Sequence, residues 1–163
     1  MSTPNWKDVP FIPVQNLVHL VPVDKDNFRE CIKMPTGEDH QKNVAPNVYS
    51  IAQAQFIPGS KSCCIYHNEE MVGYTLYELD QQDDGRLRLW ISRLMMAEPQ
   101  RGKGFGRATL KQLIADARQQ GCVEVALSTH PDNYKAIGLY ESLGFHATEM
   151  DDEEMVYVCP LYA

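Results

Sequence analysis

The sequence predicts one α+β domain, built on a mixed sheet with helices beside it. Three observations predict it. Short apolar runs with strand character alternate with helical stripes, but not in the strict one-to-one order of a doubly wound sheet. Two of the links between strands, 67–70 and 81–85, are short and polar, as in antiparallel hairpins. The longest apolar run, Leu87 to Met96, ends at Glu98-Pro99 and passes through Gly102, Gly104 and Gly106 into a helical pattern.

In chain order, Met1 to Gln15 holds Pro4, Pro10 and Pro13 without a period and is expected to be an N-terminal extension, leaving 16–163 as the domain. Leu17, Val18, Leu20 and Val21 predict a first strand. Asp24 or Asp26 is placed to cap a helix bearing Phe28, Cys31 and Ile32, which Pro35-Thr36-Gly37 stops. A second helix is expected over 41–56, interrupted early by Pro46. Its apolar residues Val44, Val48, Ile51, Ala52 and Phe56 step by three and four, which predicts a core-facing stripe. Ser62–Tyr66 and Met71–Leu79 read as a strand pair, and Arg86–Met96 as the next strand. The helix from Arg107 to Gln120 has Leu110, Leu113, Ile114 and Ala117 on one face and Gly121 at its end. Cys122–Thr129 is a further strand. Ala136, Leu139, Tyr140 and Leu143 mark a fourth helix, and Phe145–Thr148 with Met155–Pro160 form a closing hairpin across Asp151–Glu154.

Composition narrows the setting. The 163 residues suit one domain, and 44% hydrophobic with 23% charged residues is ordinary for a globular protein. No apolar run approaches the roughly 20 residues that cross a bilayer, and residues 1–10 lack a secretory pattern. Five cysteines form no Cys-x-x-Cys pair. They fit a reduced, cytoplasmic setting and act as packing residues. The net charge of −7 disfavours nucleic acid and sits easily with a basic substrate, though it also serves solubility. No His/Cys/Asp spacing suggests a metal, and no Gly-x-Ser-x-Gly suggests a serine hydrolase.

The glycine loop is the chemical signal. Strand, glycine loop and helix together present several backbone N–H groups to one anion, and the helix dipole favours negative charge there. The loop lacks Gly-Lys-Ser/Thr, which argues against a nucleoside triphosphatase. It also lacks the third glycine of a dinucleotide fingerprint. The run Arg101-x-x-Gly104-x-Gly106 resembles instead the pyrophosphate loop of the GNAT superfamily of acyl-CoA-dependent N-acyltransferases. A second segment, Asn133-x-x-Ala136-x-x-Leu139-Tyr140-x-x-x-Gly144-Phe145, resembles the GNAT pattern at every fixed position and follows at the expected distance. The resemblance covers Met71 to Phe145 well and the N-terminal third loosely.

This resemblance implies a GNAT-type fold: a central, mostly antiparallel sheet whose fourth and fifth strands run parallel and splay to admit the pantetheine arm. It implies acetyl-CoA as co-substrate, held by Arg101, Gly102, Lys103, Gly104, Phe105, Gly106 and Arg107 at the pyrophosphate. Backbone groups of Leu94, Met95 and Met96 would line the arm and polarise the thioester. Asn133 matches a cofactor-contacting asparagine, with a helix cap as the alternative, and Lys135 either meets the adenosine phosphate or faces solvent. Tyr140 matches the tyrosine that protonates the departing thiolate. The alternative is a core tyrosine.

Residues 76–96 most resemble the spermidine/spermine acetyltransferases, which implies a small amine acceptor. Ser92, however, stands where those enzymes carry an acidic residue, so the substrate-side candidates are Ser92 and Glu78. Glu78 is the best remaining carboxylate for deprotonating the amine; its alternative is an ordinary strand residue. A protein amine or an aminoglycoside acceptor, or a non-catalytic acyl-CoA-binding module, remain as alternatives. Resemblance also suggests a homodimer, with Met155 to Tyr162 offering apolar residues such as Tyr157 and Leu161.

Overall fold

The computed structural model describes residues 17–37 and 46–161. The expected extension 1–15, the stretch 41–45 with Val44, and Tyr162 lie outside the described residues. Seven strands form one sheet: β1 (His19–Pro22), β2 (Lys61–His67), β3 (Glu70–Gln81), β4 (Leu87–Met96), β5 (Glu124–Thr129), β6 (His146–Asp151) and β7 (Glu154–Pro160). Their order is β1-β2-β3-β4-β5-β7-β6. Among the described residues only β4 and β5 pair in parallel; every other neighbouring pair is antiparallel. Among the described residues four α-helices accompany it: α1 (Phe28–Ile32), α2 (Asn47–Ala54), α3 (Phe105–Gln119) and α4 (Tyr134–Ser142). The expected mixed, mostly antiparallel sheet is therefore present.

Two helical layers cover opposite faces. α3 buries Leu110, Leu113, Ile114 and Ala117 against Leu89, Ile91, Val125, Leu127, Tyr157 and Cys159, and α4 adds Ile137, Leu139, Tyr140 and Leu143 to that cluster. Ile137, rather than the expected Ala136, completes the α4 stripe. On the other face, Cys31 and Met34 from the α1 region pack with Cys64, Tyr74, Leu76 and Met95. All five cysteines are free and buried. α1 starts where Asp24 dictates: its carboxylate accepts from the amides of Asp26 (2.7 Å) and Asn27 (3.0 Å), while the Asn27 side chain accepts from the Asp24 amide (2.8 Å).

α2 departs from the sequence pattern. Its buried residues are Asn47 and Ser50, while Val48 is 49% and Phe56 84% exposed. The apolar spacing is helical, as expected, but among the described residues of the expected stripe only Ile51 packs on the sheet side, and the inward face is Asn47, Ser50, Ile51 and Ala54. The reason lies below it: Arg93, 6% exposed, needs an oxygen partner there, and Asn47 supplies it. The expected dimer strand also differs. β7 lies inside the sheet between β5 and β6, and Tyr157 is a core residue.

Candidate active site

The site is built around the end of β4. Its pairing with β5 runs only from Arg88↔Glu124 to Ile91↔Leu127, so residues 92–96 have no strand partner on that side among the described residues. At the same level the β3–β4 register slips: Leu76 faces Arg93 and Tyr77 faces Ile91, leaving Ser92 as an extra residue. This bulge changes which way the strand points. Leu89 and Ile91 pack under α3, whereas Arg93 and Met95 turn to the α1–α2 side, where Met95 joins the buried cluster and Arg93 meets Asn47.

The backbone follows the same logic. Ala97 N donates to Val72 O at 2.8 Å, and Thr75 Oγ1 donates to Arg93 O at 2.8 Å. Backbone direction alternates along an antiparallel ladder, so residues 93, 95 and 97 address β3 while Leu94 and Met96 direct their N–H and C=O groups into the open gap. Met95, with its side chain in the core and its backbone turned to β3, is thereby removed from the expected lining. Leu94 and Met96 are the residues there whose backbone faces the gap.

The glycine loop follows a 3-10 turn, Glu98–Gln100. Gly104 holds φ at +87°, a left-handed angle that suits glycine, and stands at the N-cap of α3 without a side-chain cap. A Cβ on Gly102 or Gly104 would meet no atom within 4 Å, and one on Gly106 would meet only Leu139 Cδ2 at 3.6 Å. The first-turn amides thus open onto free space at the positive end of a 15-residue helix, which is what an anion requires. The cations are unequal. Arg101 Nη2 donates to Thr36 O, tying the loop to the segment after α1. Lys103 Nζ donates to Gln100 Oε1 at 3.1 Å. Arg107 and Lys135 are exposed. Phe105 buries its ring with Val18, Ile65 and Val72 and 4.9 Å from the His67 ring, so only its backbone addresses the loop.

Asn133 does not act as a side-chain cap. It is the N-cap of α4 by position but makes no side-chain cap bond; its Nδ2 donates to Thr129 Oγ1 at 3.1 Å, at the end of β5. Tyr140 packs 5.8 Å from Phe145 and 6.1 Å from Tyr157, ring to ring. Tyr157 is the register partner of Leu127, the last β5 residue paired with β4. The phenol ring therefore packs, tilted against both neighbours, at the level where the strands part. Burial, with the Glu154 carboxylate adding to it, pushes Tyr140 up to about 12.

Across the sheet, Tyr77 packs with the α3 cluster, so Glu78 points the opposite way, beside its register partner Trp90. Trp90 packs on Ala126, Val156 and Val158, with the Arg88 guanidinium 5.1 Å over its ring. Burial, and secondarily the Asp80 charge, raises the Glu78 carboxyl above its usual range. Ser92 is exposed two residues beyond Trp90. The sequence reading missed two buried or half-buried groups here. Ser128 Oγ donates to Glu154 Oε2 at 2.5 Å, a contact that strand pairing alone reveals. The Asn47–Arg93 pair was hidden by the apolar spacing of its own helix.

The model of the Acetyltransferase (GNAT) family matches residues 26–145. The chain belongs to that family. It is an acetyltransferase, and acetyl-CoA is its co-substrate. Among curated proteins it is similar to the spermine/spermidine N(1)-acetyltransferase of Bacillus subtilis (strain 168). The two are 26% identical over 132 residues, covering 78% of this chain and 87% of the other. Among solved structures it is similar to a chain of the NatC complex bound to Gag peptide and CoA, with a TM-score of 0.67, 21% identity and coverage of 89% and 99%. It is also similar to a GNAT family acetyltransferase from Elizabethkingia anophelis with acetyl-CoA bound, with a TM-score of 0.63, 14% identity and coverage of 89% and 99%. Both confirm the fold.

Proposed function

We propose that this GNAT acetyltransferase transfers the acetyl group to the primary amine of a small, cationic, polyamine-like acceptor by direct attack. The observation that carries the reading is the placement of Glu78: a carboxylate with a raised pKa, on the sheet face opposite α3 and α4, beside Trp90 and close to the point where β4 and β5 separate. The overall charge of −7 and the similarity to a spermine/spermidine acetyltransferase support it.

Acetyl-CoA supplies the activated acetyl thioester. The amides of 102–107 and the cations Lys103 and Arg107 would hold its pyrophosphate, and the backbone of Leu94 and Met96 its arm, with the Met96 amide facing the carbonyl oxygen where negative charge develops. Asn133 and Lys135 would contact the arm and the adenosine end. Arg101 would act through the loop's shape, since its guanidinium is engaged with Thr36. Glu78 would take the amine proton, directly or through water, because an alkylammonium with a pKa of about 10 is not nucleophilic. Ser92 would supply a hydroxyl in place of the acidic residue its position carries in polyamine acetyltransferases. Tyr140 would return a proton to the departing thiolate. At about 12 it remains a full phenol at neutral pH.

A peptide amine is the second reading, favoured by the likeness to the NatC chain. A screen of spermidine, spermine, putrescine, aminoglycosides and short peptides with acetyl-CoA, read as free thiol release, decides between them. Turnover concentrated in the polyamines is expected; turnover confined to peptides would replace the reading. Three further parts rest on the sequence and the family resemblance: a single domain over 16–163, a cytoplasmic location, and a homodimer, which would use a surface other than Tyr157.

A further inference from the structure

Asn47 is the first residue of α2, 3% exposed, so its amide must find partners inside the protein. It finds them on two other elements. Nδ2 donates to Cys31 O, at the end of α1, at 2.9 Å. Oδ1 accepts from Arg93 on β4 through both Nε (3.2 Å) and Nη2 (2.9 Å). Arg93 is itself 6% exposed, and among the described residues no carboxylate forms an ion pair with it. A buried guanidinium held by one neutral amide is a poor device for stability, since apolar side chains of similar volume would serve as well. What such a pair does supply is direction: three elements are fixed in one geometry.

The location gives that geometry a use. Arg93 sits directly after the Ser92 bulge and directly before Leu94, the first residue whose backbone opens into the gap between β4 and β5. A displacement of Leu94 is a displacement of Arg93, and Arg93 is bonded to the first turn of α2. We propose that the Arg93–Asn47 bridge is a positioning device, coupling occupancy of the open β4 edge to the placement of the α1–α2 wall on the other side of the sheet. Arg93 and Asn47 touch neither acetyl group nor amine; they act through Leu94 and through α2. The inference rests on the reading that the cofactor lies along Leu94 and Met96.

The test is amide hydrogen exchange on the full chain, with and without CoA. In the wild type, CoA slows exchange at 101–107 and, by about fivefold or more, at the amides of α2, a coupling of ordinary allosteric size. In Arg93→Met the response at 101–107 remains and the response in α2 is lost. Asn47→Asp, which keeps an oxygen for Arg93, retains the α2 response. The double variant Arg93→Met/Asn47→Leu leaves no orphaned polar atom, so its melting temperature returns toward wild type while α2 stays unresponsive. An α2 response that persists in Arg93→Met or in the double variant overturns the proposal. Protection at 101–107 without any response in wild-type α2 removes the coupling alone. No protection at 101–107 in the wild type removes the cofactor reading and the coupling with it.

Discussion

The two sides of this sheet solve the problem of making a site in different ways. On the cofactor side, the β4 edge, the glycine loop and the first turn of α3 offer backbone groups, and the side chains around them are ordinary core: Phe105, Leu94, Leu110. On the other face, the proposed acceptor side, the groups on offer are side chains, Glu78, Trp90 and Ser92, with the Arg93–Asn47 pair buried beside them, drawn from β3, β4 and α2. A backbone site is written in consecutive residues, because a loop's shape depends on where glycines fall. A side-chain site is assembled from residues tens of positions apart, and one bulge decides which of them meet.

The comparison can be broken most severely at Gly106. A Cβ there meets nothing closer than 3.6 Å, so Gly106→Val should fold with a melting temperature near wild type. Its side chain would occupy the anion site, and CoA binding measured by calorimetry should fall by about 100-fold or more, a loss of nearly 3 kcal/mol. Unchanged affinity in the folded variant would remove the loop assignment. Tyr140→Phe keeps the ring packed on Phe145 and Tyr157 but removes the proton. With CoA affinity preserved, kcat should fall by about 10²–10⁴ and KM should move little. Full kcat in that variant would leave Tyr140 a core residue.

Glu78→Gln should lower kcat/KM for the amine by about 10², the lower end for a positioned base. The pH profile carries its sign. The raised Glu78 carboxyl must lose its proton to serve, so the wild-type acid limb should fall at a pH above the usual carboxylate range and should change shape in Glu78→Gln. Tyr140, at about 12, must keep its proton, so it imposes no alkaline limb in the neutral range. An acid limb that is identical in both proteins would assign the base elsewhere. The smallest effect belongs to the turn that follows α2. Phe56 is 84% exposed, and Phe56→Ser should change folding stability by no more than about 0.5 kcal/mol in denaturant titration. A loss of several kcal/mol would mean that this ring is covered.

These contrasts explain what could be read beforehand. The α3 stripe was legible because Leu110, Leu113, Ile114 and Ala117 fall at helical spacing and face one core. The position of the glycine loop ahead of α3, and of Tyr140 on the packed face of α4, was legible because both motifs are local. The α2 orientation was not, because apolar spacing identifies a helix without saying which face has a partner. Here the partner is a guanidinium 46 residues away. Met95 was misplaced for a related reason. Counting from the apolar run alone gives no sign of the extra residue at Ser92, and that residue turns every position after it to the other face.

The buried cysteines have a practical bearing on the assay itself. Thiol release is commonly followed with an aromatic disulfide, which reacts with any accessible thiolate. Every cysteine of this chain is at most 6% exposed; burial pushes Cys63 up to about 11 and raises Cys122 and Cys159, while Cys31, lowered by its hydrogen bond with Cys64, is shielded by complete burial. The folded enzyme is therefore silent towards the reagent, and colour reports coenzyme alone. The same reagent becomes a clock for the protein once substrate is omitted: each sulfur that reacts marks an opening of the segment that hides it, Cys31 at α1, Cys63 and Cys64 in β2, Cys122 behind α3 and Cys159 in β7.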